Sequence, residues 1–215
     1  MALFKDRTDA GKKLAKELLK YANRSDVLIL ALPRGGVPVA FEVAKELNVK
    51  LDVFIVRKLG VPQNEELAMG AIASDNIRVL NEDVVRSFQI PENVIDNVTA
   101  NELKELERRE RAYRKNRPKP EISGKTVILI DDGLATGATM WAATAALKTK
   151  NPAKIVIAVP TAATDTCRAF KEKVDEIICI ATPEPFYGVG AWYGDFSQTT
   201  DEEVCKLLEK AAILQ

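Results

Sequence analysis

Two carboxylates, two glycines and two threonines fall within one short stretch, Asp131-Asp132-Gly133-Leu134-Ala135-Thr136-Gly137-Ala138-Thr139. Immediately before it, Val127-Ile128-Leu129-Ile130 is an unbroken apolar run, the pattern of a strand buried on both faces. Small residues from about Gly137 through Ala146 read as a helix. Unpaired N–H groups at a helix N-terminus make a phosphate cradle, to which Thr136 and Thr139 add hydroxyl donors. Two carboxylates pointed into that cradle would repel a phosphate. They make sense if they meet another part of the same ligand, either sugar hydroxyls or a metal ion. The chemistry is therefore that of a sugar phosphate rather than a bare phosphate.

A second corner carries a cation. Val27–Leu32 reads as a buried strand, Pro33-Arg34-Gly35-Gly36-Val37-Pro38 as a loop, and Val39–Leu47 as a helix. The glycine pair lets backbone close around an anion, and Arg34 offers a two-pronged donor to phosphate oxygens. A third strand, Leu51–Val56, ends at Arg57-Lys58-Leu59-Gly60. A polar, mobile-looking loop from Val61 to Leu67 follows, and Ala68–Ala73 turns apolar again as a return strand.

The stretch Ile130–Thr139 resembles the phosphoribosyl-pyrophosphate (PRPP) signature of type I phosphoribosyltransferases: apolar residues, two acids, a short loop, then Thr-Gly-x-Thr. Ala135 stands where the family often has Thr. Arg34-Gly35-Gly36 resembles the family's pyrophosphate loop, which often contains a cis peptide. Arg57 and Lys58 with the loop beyond them resemble its flexible loop, which closes over bound PRPP. The resemblance implies a doubly wound parallel α/β sheet with helices on both faces and a small C-terminal hood region, in a single domain over 1–215 with the hood at 181–200.

The resemblance also implies roles. Ala135, Thr136, Gly137, Ala138 and Thr139 would hold the 5′-phosphate. Arg34, Gly35, Gly36, Arg57 and Lys58 would hold pyrophosphate. Asp131 and Asp132 would hold the ribose hydroxyls, directly or through water bound to Mg2+, and with Lys58 make up the catalytic set. Phe186 and Trp192 are the candidates for stacking on a nucleobase. The reaction implied is transfer of the phosphoribosyl group to a nitrogen nucleophile by a homodimeric enzyme.

Composition narrows the alternatives. With 215 residues, 47% of them apolar, the chain is long enough for one α/β domain with a full core. It has 31 basic and 31 acidic residues, a balance that argues against DNA as a partner. There is no histidine, which removes Ser-His-Asp and Cys-His catalysis and His-ligated zinc. A base for the nucleophile would then have to be an acid such as Asp132, or none is needed. Cys167, Cys179 and Cys205 lack metal-type pair spacing. Few cysteines, no signal-type N-terminus and no apolar run of spanning length point to a cytoplasmic protein without a membrane partner.

The remaining elements must position these groups. An amphipathic helix is expected over about Thr8–Tyr21, a short strand over Ile77–Leu80, and helices over Asn81–Arg86 and Pro91–Arg114. The charged run Glu105–Lys115 reads as a solvated face or a dimer contact ahead of a ligand-binding surface, and Asn116–Pro120 ends it. Strands over Lys154–Val159 and Val174–Ile180, a helix over Ala162–Phe170 and a final helix over Thr200–Leu214 complete the chain. Between the last strand and the last helix, the segment 182–196 holds Phe186, Tyr187, Trp192, Tyr193 and Phe196. Its aromatics either stack on a flat ring or pin the C-terminal arm to the domain. Three other functions compete: a PRPP- or nucleotide-sensing regulator without turnover, another nucleotide-processing enzyme, and an assembly subunit. A Rossmann dehydrogenase would want Gly-x-Gly-x-x-Gly after the first strand, which Pro33–Pro38 does not supply.

Overall fold

The computed structural model describes residues 2–62, 64–115 and 117–214, with only the backbone of Glu65, Glu66 and Asp75. Five strands, β1 (Val27–Ala31), β2 (Lys50–Val53), β6 (Thr126–Ile130), β7 (Lys154–Thr161) and β8 (Glu176–Ala181), pair in parallel in the order β2-β1-β6-β7-β8. Side chains alternate between the faces of a sheet, and here both faces are covered. Ile29, Ala31, Ile128 and Ile130 enter one core with helices α1 (Arg7–Glu17), α2 (Gly36–Leu47) and α7 (Asp201–Leu214). Leu28, Leu30, Val127 and Leu129 enter the other with α5 (Ala138–Lys148) and α6 (Thr164–Phe170). That is why both strands read as continuous apolar runs.

Strand order reverses between β1 and β6. The chain moves outward from β1 to β2, then crosses to the other side of β1. Ligands of open α/β sheets bind at such a switch point, beyond the C-terminal ends of the strands. In register, Ala31 lies opposite Ile130, so the loops that follow β1 and β6 leave the sheet side by side.

A second sheet departs from the sequence reading. The strand expected over Leu51–Val56 is two elements: β2 stops at Val53, and β3 runs Val56–Val61. Arg57 and Lys58 thus belong to a strand, not to a loop. Of the expected loop from Val61 to Leu67, Val61 belongs to β3 and Asn64 to Leu67 belong to β4 (Asn64–Ala73). Gln63 and the side chains of Glu65 and Glu66 lie outside the described residues. β3, β4 and β5 (Ile77–Leu80) form an antiparallel sheet, with the expected pairing of β5 on the return strand.

Helix α2 begins at Gly36, three residues earlier than expected. Pro38 sits in its first turn, where a missing N–H is not needed for an intrahelical bond. α3 (Glu82–Ser87) and α4 (Glu92–Arg114) follow β5. α4 ends before Asn116, which lies outside the described residues. Among the described helices none is long and apolar enough to cross a membrane.

Candidate functional site

The two corners singled out from sequence meet across the switch point. A Cβ placed on Gly35 would lie 2.1 Å from Asp132 Oδ2, and one on Gly36 would lie 2.6 Å from the Ile130 carbonyl oxygen. Only glycine lets the β1 loop rest directly on the acid pair. The Pro33–Arg34 peptide is cis, and Leu32 N–H donates to the Ile130 carbonyl at 2.9 Å, carrying the β1–β6 pairing up to the loop.

Beyond β6 the backbone stays tied to the sheet through Leu134. Its N–H donates to the Thr161 carbonyl at 2.9 Å, and its carbonyl accepts from Ala163 N–H at 2.9 Å. The loop then lifts free. Ala135, Thr136 and Thr139 are exposed. Thr166 donates its hydroxyl to the Ala135 carbonyl at 2.6 Å. Because the peptide is planar and trans, the Thr136 N–H points the opposite way, away from α6. Gly137 caps α5 at φ +73°. A Cβ there would also lie 2.8 Å from the Phe170 ring, so glycine is required on both counts. These residues lie at the N-terminus of α5, where N–H groups without an intrahelical partner suit an anion.

The acid pair is electrostatically costly as it stands. Burial pushes the Asp131 carboxyl well above its ordinary range, and the adjacent Asp132 charge adds to this. Burial raises Asp132 as well, opposed by the Arg7 guanidinium. Asp131 Oδ1 accepts the Asp132 N–H at 2.9 Å. A cation brought to this pair would favour its ionised form. Among the described residues no three Cys, Asp or Glu side chains gather as a metal cage. The two carboxylates offer oxygen donors, which suit a hard cation that takes few protein ligands and keeps its waters, as magnesium does.

Arg7 is the residue that sequence reasoning missed. Asp6 caps α1 by accepting the Asp9 N–H at 2.8 Å, which makes Arg7 the first residue of the helix. Its Nε and Nη2 reach Asp132 Oδ2 at 2.9 and 2.8 Å. Nη1 donates to the Ser197 carbonyl at 2.7 Å, and the guanidinium lies 4.0 Å from the centre of the Phe196 ring. Asp132 is thus engaged by a guanidinium rather than left as a free base. The pairing leaves no periodic signal; one basic residue at a capped helix start looks like any solvated cation.

The C-terminal segment folds over the same place. Tyr193 donates its hydroxyl to the Asp132 carbonyl at 2.6 Å, and Val189 packs where a Gly133 side chain would be. Phe186 and Trp192 are half-buried neighbours, their ring centres 6.5 Å apart. The Trp192 carbonyl accepts from Leu3 and Phe4 N–H. These bonds from the Trp192 backbone and the Tyr193 hydroxyl tie the segment to the N-terminal residues and to the acid pair.

The expected pyrophosphate cations have partners within the chain. Arg34 Nη1 lies 3.7 Å from Asp201 Oδ1 at the start of α7. Asp201 also accepts from Tyr113 at 2.6 Å and Arg108 at 3.1 Å. Arg57 Nε donates to Glu102 of α4 at 2.6 Å. Arg57 and Lys58 line a cavity of about 590 Å3 that reaches Pro33 and Thr139, so the structure brings them beside both loops.

Comparison with known proteins identifies the family. The family model for the phosphoribosyl transferase domain matches residues 4–187. A Mycobacterium tuberculosis protein, found in strains CDC 1551 and H37Rv and named "putative phosphoribosyl transferase", is 46% identical over 211 residues. The match takes in 98% of this chain but 47% of that protein, so the chain spans about half the length of the curated relatives it matches. TT1426 from Thermus thermophilus has a crystal structure that superposes with a TM-score of 0.88, at 38% identity, over 98% of this chain and 99% of its own. AQ2163 from Aquifex aeolicus shares the fold at 18% identity, with a TM-score of 0.50 over 80% of this chain and 73% of its own.

Proposed function

Because the chain belongs to the phosphoribosyl transferase domain family, we propose that it transfers the 5-phosphoribosyl group of PRPP to a nitrogen nucleophile, a nucleobase being the candidate acceptor. The C1–oxygen bond to pyrophosphate breaks, the bonding pair leaving with pyrophosphate, a C1–nitrogen bond forms from the nucleophile's lone pair, and the nucleophile's proton passes to solvent water. The observation that carries this reading is the contact of Gly35 with Asp132, which sets an anion loop against an acid pair next to a phosphate cradle. The N–H groups of Ala135, Thr136, Gly137, Ala138 and Thr139 bind the 5′-phosphate. Asp131 meets the ribose hydroxyls. Arg34, Gly35, Gly36, Arg57 and Lys58 bind pyrophosphate, and Lys58 offsets charge on the leaving group. Asp131 and Asp132 would hold magnesium through its waters, and bound magnesium would neutralise the departing pyrophosphate.

Most of the catalysis in this reading is positioning and charge stabilisation at a fixed site. Asp132, paired with Arg7, orients the loop instead of accepting the proton. Phe186 and Trp192 remain the candidate base platform. The test is calorimetric titration with PRPP, with and without magnesium, followed by a screen of bases for pyrophosphate release. Magnesium-dependent PRPP binding with release supports the enzyme. PRPP binding without release for any base assigns a sensor on the same fold. No binding of PRPP or ribose 5-phosphate removes the reading.

A further inference from the structure

Helix α4 has no task in the reading above, yet it walls the cavity beside both ligand loops. That cavity, about 590 Å3, touches Pro33 of the β1 loop and Thr139 of the phosphate cradle. Arg57 and Lys58 of β3 line one side, and Glu102 and Arg109 of α4 line another. Three cations thus face one carboxylate. The two arginines are held in place from α4: Arg57 Nε lies 2.6 Å from Glu102 Oε2, and Arg109 Nε lies 2.8 Å from Glu105 Oε1. Arg109 is largely buried, with 18% of its side chain exposed, so its guanidinium is confined to the cavity wall.

Guanidinium forks bind phosphate oxygens in pairs, whereas a single Arg–carboxylate contact near the surface contributes little. A diphosphate reaching this cavity would therefore displace Glu102 from Arg57. We propose that α4 belongs to the anion site: Arg109 joins Lys58 on the diphosphate end of the substrate, and Glu102 is an internal stand-in that the diphosphate displaces from Arg57. Glu102 then regulates the site, keeping Arg57 in place while competing with the ligand for it. The inference rests on the proposed PRPP reading and assigns to it two residues from outside the recognised loops.

The test uses the full chain, with sodium pyrophosphate as probe and ribose 5-phosphate as reference. E102Q is expected to bind pyrophosphate about three- to tenfold more tightly, because a competitor for Arg57 is removed. R109Q is expected to bind it about tenfold more weakly. Both should bind ribose 5-phosphate as the unmodified chain does. Unchanged or weaker pyrophosphate binding in E102Q overturns the displacement, and unchanged binding in R109Q overturns the contribution of α4. Those failures in a chain that still binds PRPP leave the phosphoribosyl reading standing; an unmodified chain that binds neither PRPP nor pyrophosphate removes both. Should R109Q fail to melt cooperatively, E102Q carries the test alone, since Glu102 is only partly buried.

Discussion

Arg7 and Asp132 are 125 residues apart in sequence and 2.8 Å apart in space. Their side chains are only 12% and 14% exposed, so each is the other's main compensation for lost water. Removing one partner of a buried pair costs far more than removing both. Arg7→Gln is expected to lower unfolding free energy by about 3 kcal/mol, and adding Asp132→Asn to restore most of it. Urea denaturation of the two single variants and the double variant measures this. Additive losses would show that the pair does not act as a unit.

Asp131→Asn should separate ligand binding from stability. Burial and the neighbouring Asp132 charge hold the Asp131 carboxyl well above its ordinary value of 3.8. A raised value means that the stability this group supplies is present below pH 3.8 and is lost as pH rises through the raised value. At pH 7 the amide should therefore leave stability equal or higher, while ribose 5-phosphate binding falls about tenfold or more. A loss of stability matching the loss of binding would make Asp131 structural.

Gly35→Ala tests the contact between the two loops. Its new Cβ would fall 2.1 Å from Asp132 Oδ2, and Arg7 prevents that carboxylate from simply swinging aside. We expect a loss of about 2 kcal/mol in thermal or urea unfolding, in the range of overpacked sites, together with at least a tenfold loss of PRPP affinity. Normal stability and affinity in this variant would mean that the loops are not in contact.

Glu176 sets an acid limit at the opposite end of the sheet. Burial pushes its carboxyl up, but hydrogen bonds from Lys20, Tyr21 and Lys154 outweigh this and bring it down to about 2. Its stabilising contribution is present above about pH 4.5 and is lost as pH falls toward 2. Lys20 is mostly exposed, and solvent screening reduces the effect to about 1 kcal/mol. Denaturant midpoints at pH 5 and at pH 2–3 should converge with those of Glu176→Gln on acidification. A constant gap between them would contradict the assignment.

What could be read from sequence follows from what leaves a periodic or local trace. Val27–Leu32 and Val127–Ile130 were legible as central strands because parallel strands covered on both faces are apolar throughout. The loops after them were legible because glycines, acids and threonines concentrate where backbone must bend or approach a ligand. β3 was not, because Arg57 and Lys58 interrupt its apolar character and serve the cavity instead. The early start of α2 was hidden by Pro38, which resembles a breaker but occupies a tolerated position. Arg7 and Glu102 owe their places to tertiary proximity alone. Nothing adjacent to either in the chain marks it.

Leu134 gives the loop after β6 a property of its own. Because this residue is laddered to Thr161 and Ala163, the ordering entropy of the loop's base is met when the protein folds, not when a ligand arrives. In amide hydrogen exchange, the Leu134 N–H should follow the slow core strands and the Thr136 N–H should exchange rapidly. Under the proposed function the 5′-phosphate would then meet a rim already fixed by the sheet, and rearrangement on binding would be confined to the diphosphate end of the substrate, where Glu102 must leave Arg57.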